Sequence, residues 1–165
     1  MSGQSDYTDI IVELVNTAKT ESDQKKLDVI LHQIREIALH RDTSVLPHVL
    51  KDVLDLTMGA KTSVVVFLVR FGGESLGVDF ALLPAVLSCY SFLMTVESDK
   101  VHRAVGHEIT KIYSKAAMHV AEMITLPEAN ETAIKQTWKQ LCSVTDKLID
   151  KISSNRATEQ LRTNG

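Results

Sequence analysis

Four side chains that can carry a positive charge recur along one stretch of the sequence at helical spacing. They are Lys100, Arg103, His107 and Lys111. Side chains three and four residues apart lie on the same face of an α-helix, so these four would form a basic stripe. A basic stripe can bind an acidic or phosphorylated protein or an RNA backbone, and it is also typical of a solvated helix face. We take the four as candidate partner-binding residues.

Motifs that would indicate catalysis are incomplete. His40-Arg41-Asp42 matches the start of a kinase catalytic loop, but the metal-binding Asp-Phe-Gly and the glycine-rich strand turn are missing. Residues 59–63 lack the Gly-Lys pair of a phosphate-binding loop. The six histidines do not have the spacing of zinc ligands, and Cys89 and Cys142 sit in apolar patterns typical of buried thiols. The sequence predicts a protein that is not an enzyme and that uses no cofactor or metal.

The composition limits which kinds of partner and which cellular compartment are expected. The chain has 165 residues, a net charge of −3 and 5% aromatic residues, which does not favour nucleic acid as the main ligand. The first residues are polar and lack a signal-peptide pattern. Residues 80–96 are uncharged, but their 17 residues fall short of the roughly 20 of a typical membrane span. We expect an intracellular, soluble protein.

The elements that position the basic stripe are indicated by an internal repeat. Residues 46–50 read Leu-Pro-His-Val-Leu and residues 83–87, 37 positions later, read Leu-Pro-Ala-Val-Leu. Asp42 matches Asp79 at the same distance. A repeat of this length is typical of stacked helix pairs. The apolar spacing predicts seven helices, which cover residues 7–19, 27–40, 45–58, 63–76, 79–95, 99–124 and 132–152.

Two of these helices carry specific expectations. The β-branched run at 64–69 also fits a buried strand, but its repeat partner at 99–124 is helical in pattern, which favours a helix. The glycines at 72, 73 and 77 would then allow a neighbour to approach closely. In the seventh helix we expect six residues to face inward, and they are Ile134, Trp138, Leu141, Val144, Leu148 and Ile152.

The resulting fold prediction is an all-α protein. We expect an α-solenoid of antiparallel helix pairs, HEAT- or armadillo-like, with about seven helices plus a C-terminal fragment. One domain would cover 7–155, with residues 153–155 closing the last helix. The ends at 1–6 and 156–165 are polar, and the second of them would begin a further repeat. Because solenoids mostly present surfaces to other molecules, the predicted function is that of a non-catalytic protein-binding scaffold.

A family resemblance is carried by six runs and one aromatic residue, which are 27–37, 41–47, 64–69, 78–83, 99–105, 111–113 and Trp138. These segments resemble the N-terminal HEAT-repeat domain of the symplekin family, scaffolds of pre-mRNA cleavage and polyadenylation, and the similarity covers most of 7–163. The resemblance implies a nuclear scaffold without an active site. It also implies partners among mRNA 3′-end processing factors, including a phosphatase that acts on the tail of RNA polymerase II.

Two alternative functions stay open at this point. One is an adaptor solenoid in vesicle trafficking or nuclear transport, which would use a similar helical array. The other is an RNA-binding helical-repeat module, in which the basic stripe would contact phosphates and binding would depend steeply on salt. A small-molecule substrate and a membrane are not expected as partners.

Overall fold

The computed structural model describes residues 3–126 and 130–164, with side chains described for 7–126 and 130–151. The described residues are helical and contain no strand, which confirms the all-α prediction. The described part of the chain forms seven α-helices. They are α1 (Gly3–Thr20), α2 (Gln24–Glu36), α3 (Leu46–Leu54), α4 (Thr62–Val78), α5 (Leu83–Leu93), α6 (Asp99–Ile124) and α7 (Glu131–Asn164).

The repeat in the sequence is also a repeat in local structure. The Asp42 carboxylate accepts a hydrogen bond from the backbone N–H of Ser44, and Asp79 does the same for Ala81. Each aspartate begins a single 3₁₀ turn that leads into an α-helix, α3 or α5, whose second residue is proline. Proline is tolerated there because the first-turn N–H groups have no intrahelical acceptor. The helices that follow, α4 and α6, also start 37 residues apart.

The valine-rich run at 64–69 is helical, as the repeat predicted. Burial of Val64, Val65, Leu68 and Val69 outweighs the modest cost of β-branched residues in a helix. Gly72 is buried, in keeping with a close neighbour. For Gly77 that explanation is wrong, because the residue is exposed and a Cβ added to it would have no atom within 4 Å.

Contacts divide the chain into two compact units, Met1–Cys89 and Tyr90–Gly165, with the boundary inside α5. In the first unit α1 packs against α2 and α3, and α3 packs against α4. Its core includes Ile11, Ile34, Leu50, Leu68 and Phe71. The prediction of one domain over 7–155 and that of a solenoid both stay predictions.

The Arg35 side chain of α2 reaches α4 within the first unit. Its guanidinium donates two hydrogen bonds to the Glu74 carboxylate, with nitrogen–oxygen distances of 2.6 and 3.2 Å. The hydrogen bond with Glu74 raises the pKa of Arg35. Because both side chains are partly exposed, we expect this pair to add only about 0.5–1 kcal/mol to stability.

In the second unit α6 packs against α7. Two expectations about α7 are wrong. The helix continues through residues 153–155, where serine and asparagine lower helix propensity far less than glycine or proline would. Trp138 does not face inward: 41% of it is exposed, whereas Ile134, Leu141 and Val144 are buried as predicted. Ile152 lies outside the residues whose side chains are described. Over 3–126 and 130–164, no helix is both long and apolar enough to cross a membrane.

Candidate functional site

The predicted basic stripe lies on one exposed face of α6. Ser98 caps the helix by accepting a hydrogen bond from the backbone N–H of Val101, and Lys100, Arg103, His107 and Lys111 follow within the first three to four turns. All four side chains are exposed. The opposite face carries the residues that bury α6, among them Val101, Val105, Ile109 and Ile112. The structure therefore brings the four predicted residues together on the solvent side.

One member of the stripe is already paired. The Lys111 ammonium lies 3.6 Å from the carboxylate of Glu108, one turn earlier in α6. Glu108 is buried, so its charge depends on this partner more than an exposed carboxylate would. Lys111 consequently offers less free charge to a partner than Lys100 or Arg103, and replacing it would disturb the fold as well as the surface.

Two cavities lie between α6 and α7 beside this stripe, and we call them together the groove. Its first part is a cavity of about 410 Å³ between the N-terminal half of α6 and residues 145–151 of α7. Ile109, Tyr113, Leu148 and Ile149 are among its apolar lining residues. Gly106 lies beside α7 here, and a Cβ on it would make ordinary van der Waals contact, at 3.5 Å, with Cδ2 of Leu148. Arg103 belongs to both the stripe and this cavity.

His102 is the most unusual residue in the first cavity. The residue is only 6% exposed, and it lines the cavity. Neither of its ring nitrogens has a hydrogen-bond partner among the described residues. At least one imidazole nitrogen always carries a hydrogen, so a buried donor is left unpaired there. Unpaired buried donors are rare in folded proteins because each costs stability.

The second part of the groove is a cavity of about 370 Å³ near the C-terminal end of α6. Ala117, Ala121 and Ile124 line it from α6, and Trp138 lines it from α7. Ile124 is 63% exposed, so two large apolar side chains face solvent here. Contiguous exposed apolar surface marks interaction sites, and tryptophan is enriched among the residues that contribute most to binding.

The groove is bordered mainly by positive charge. Among the described residues that line the two cavities, the cations are Arg103, Lys135, Lys139 and Lys151, and the one carboxylate is that of Asp99. The chain as a whole carries a net charge of −3. The cations are therefore concentrated locally, although the composition gives no sign of it.

The sequence predicted part of this site and missed the rest. Arg103 was singled out, but the groove depends on how α6 and α7 pair, which the periodicity of one helix does not reveal. A usable signal was present in α7, where the only tryptophan of the chain, Trp138, is flanked by Lys135 and Lys139. Tryptophan is enriched in binding surfaces, and the two lysines add positive charge beside it.

Other candidate positions offer less for chemistry. Lys61 lines a cavity of about 440 Å³ in the first unit together with Lys19, Glu21 and Asp55, so the local charge is balanced and does not favour phosphate. Burial raises the pKa of Cys89 to about 11, which disfavours the reactive thiolate. Within the described ranges, no three His, Cys, Asp or Glu side chains form a group that could hold a metal ion.

Comparison of the chain with models of protein families and with curated proteins gives no match. The resemblance to the symplekin family therefore stays a prediction.

Proposed function

We propose that this protein is a non-catalytic scaffold that binds other proteins through the surface formed by α6 and α7. The observation that carries the proposal is the groove between these helices, which has an apolar lining, an exposed tryptophan and a cationic border. Interfaces obtain most of their binding energy from a few aromatic and arginine anchors. Trp138 and Arg103 have the character and exposure of such anchors.

The sequence resemblance suggests a setting for this scaffold. We propose that it acts in the nucleus and holds mRNA 3′-end processing factors, among them an RNA polymerase II tail phosphatase. The stripe formed by Lys100, Arg103 and His107 would steer an acidic or phosphorylated segment toward the groove beside it.

A charge-reversal experiment tests the proposed surface. The test variant is Lys100→Glu/Arg103→Glu, which leaves the Lys111–Glu108 pair intact. The control is Lys25→Glu/Lys26→Glu, which makes the same charge change at exposed positions near the start of α2. Affinity purification from nuclear extract should lose its specific partners with the test variant and keep them with the control. Equal recovery with both variants would contradict the assignment.

RNA and anionic membranes would use the same cations but not the same apolar residues. Replacement of Trp138 by serine should strongly weaken the binding of a protein partner, because it removes an apolar anchor and leaves every charge in place. A gel shift at low salt would detect RNA binding, and flotation with anionic liposomes would detect membrane binding. Binding of either that is insensitive to the loss of Trp138 would favour that class over a protein.

A further inference from the structure

We propose that the α6/α7 groove binds an amphipathic α-helix whose flanks are acidic, contributed by a partner protein. This inference rests on the proposed scaffold function and specifies the chemistry of the partner. It stands on three observations, which are the single face of α6 that lines both cavities, the charge along their border and the unpaired imidazole of His102 in the wall of the first cavity.

The two cavities follow one seam along α6. The α6 residues that line them include Arg103, Gly106, Thr110, Tyr113, Ala117, Ala121 and Ile124. Successive members of this set are three or four residues apart, which places all of them on one side of the helix. From residue 103 to residue 124 an α-helix rises about 32 Å.

The facing residues of α7 complete the groove in antiparallel order. Residues 145–151 lie beside the start of α6, and residues 134–139 lie beside its end. Two side-by-side helices with an apolar seam between them form the surface on which a third helix docks, with anchors spaced at i, i+3, i+4 and i+7. The small side chains of Gly106, Ala117 and Ala121 leave room for such anchors.

Charge along the border selects the kind of helix. Four cations against one carboxylate favour a partner with acidic flanks. The same charges argue against a second copy of this chain docking through the same groove, because like charges would then face each other. A single small ligand would not span both cavities.

His102 offers a specific polar contact at one end of the groove. Its ring lines the first cavity, and neither nitrogen is hydrogen-bonded within the described part of the chain. A carboxylate of the docked helix, placed beside Arg103, can accept a hydrogen bond from the imidazole once the ring turns toward the cavity. The acidic flank would thus be fixed at this end, and the apolar anchors would pack against Trp138 at the other.

Selection from a displayed peptide library tests this inference. The peptides are 22 residues long and free of tryptophan, with a constant apolar face spaced at i, i+3, i+4 and i+7 and flanking positions randomised between Glu and Lys. The bait is the full chain. We expect selected peptides to carry Glu over Lys at the flanks, and to bind about tenfold more tightly than the Lys-flanked version of the same peptide.

Fluorescence of Trp138 measures that binding directly, because it is the only tryptophan in the chain. A docked helix should shift its emission to the blue in a saturable manner. Ala121→Glu places bulk and negative charge in the groove at an exposed position and should reduce affinity at least tenfold. Asn16→Glu, at an exposed position of α1, should leave affinity unchanged.

Failure of this inference differs from failure of the scaffold function. Selected peptides without an excess of Glu, or peptides whose binding ignores Ala121→Glu, would overturn the acidic-helix proposal. So would a stronger response of Trp138 to single-stranded RNA than to any selected peptide. If nuclear partners are still lost with Lys100→Glu/Arg103→Glu, the scaffold function would stand without this occupant.

Discussion

Replacement of His102 by leucine should stabilise the free protein. A buried polar group without a hydrogen-bond partner costs about 1–3 kcal/mol, and an apolar side chain of similar size removes that cost. Both ring nitrogens of His102 are buried and have no hydrogen-bond partner among the described residues. Allowing for imperfect fit of the new side chain, we expect His102→Leu to raise the free energy of unfolding by about 1–2 kcal/mol. At this chain length that corresponds to roughly 2–8 °C in melting temperature.

Urea unfolding followed by Trp138 fluorescence measures this effect in the second unit, which contains both residues. His32→Leu is the matched control, because His32 is exposed on α2 and its replacement should change stability by less than about 0.5 kcal/mol. The same His102→Leu protein should bind the selected acidic peptides several-fold more weakly. Unchanged or lower stability of His102→Leu would refute the reasoning, since it would mean that the imidazole is satisfied in solution.

Three further measurements address other parts of the molecule. Gly77→Ala should raise the free energy of unfolding by about 0.5 kcal/mol, since the site is open and helical. Gly59→Ala should lower it by about 1 kcal/mol, because Gly59 has a φ of 73°. Equal effects of the two substitutions would be inconsistent with these backbone conformations. Cys89 should react with iodoacetamide about 100-fold more slowly at pH 8 in the folded than in the unfolded chain, because a pKa raised from 9.0 to about 11 leaves far less thiolate. Its rate should rise as pH approaches 11, and fast labelling at pH 8, located by mass spectrometry, would contradict the burial. Lys111→Gln should lower the free energy of unfolding by about 1 kcal/mol in a urea titration, since it leaves the buried Glu108 carboxylate unpaired, and no change would show that water serves Glu108 equally well.

The helices were predictable because their signals are local. Asp42 and Asp79 cap turns with their own side chains, and Pro47 and Pro84 fall where a helix start tolerates them. These features need only a few neighbouring residues. The repeat then decided the ambiguous valine-rich segment in favour of a helix, where composition alone could not.

The inner face of α7 was harder to predict because a polar residue lies on it. Thr137 is buried, and its hydroxyl donates to the Ala133 carbonyl at 2.9 Å, so it enters the core without an unpaired donor. The buried stripe is therefore Ile134, Thr137, Leu141 and Val144. A prediction that places only apolar residues in the core selects Trp138 in place of Thr137. It therefore shifts the predicted buried face of α7 by one residue.

The groove and His102 could not be derived from the sequence for a different reason. Each depends on how α6 and α7 pair, and in the first cavity, which contains His102, the facing residues are more than thirty positions apart in the sequence. His102 sits between Val101 and Arg103, one buried and one exposed, and its own burial follows only from where α7 passes. Long-range packing of this kind has no signature in the spacing of one helix.

A photo-cross-linking residue at position 121 tests the central claim most directly. Position 121 lies in the groove, and the same residue at position 16 of α1 serves as the reference. After irradiation in nuclear extract, mass spectrometry of the joined peptides identifies the segment that occupies the groove. The account predicts that position 121 captures a discrete segment with an amphipathic helical pattern and acidic flanks, absent from position 16. Identical capture at the two positions, or a basic or unpatterned segment at 121, would contradict it.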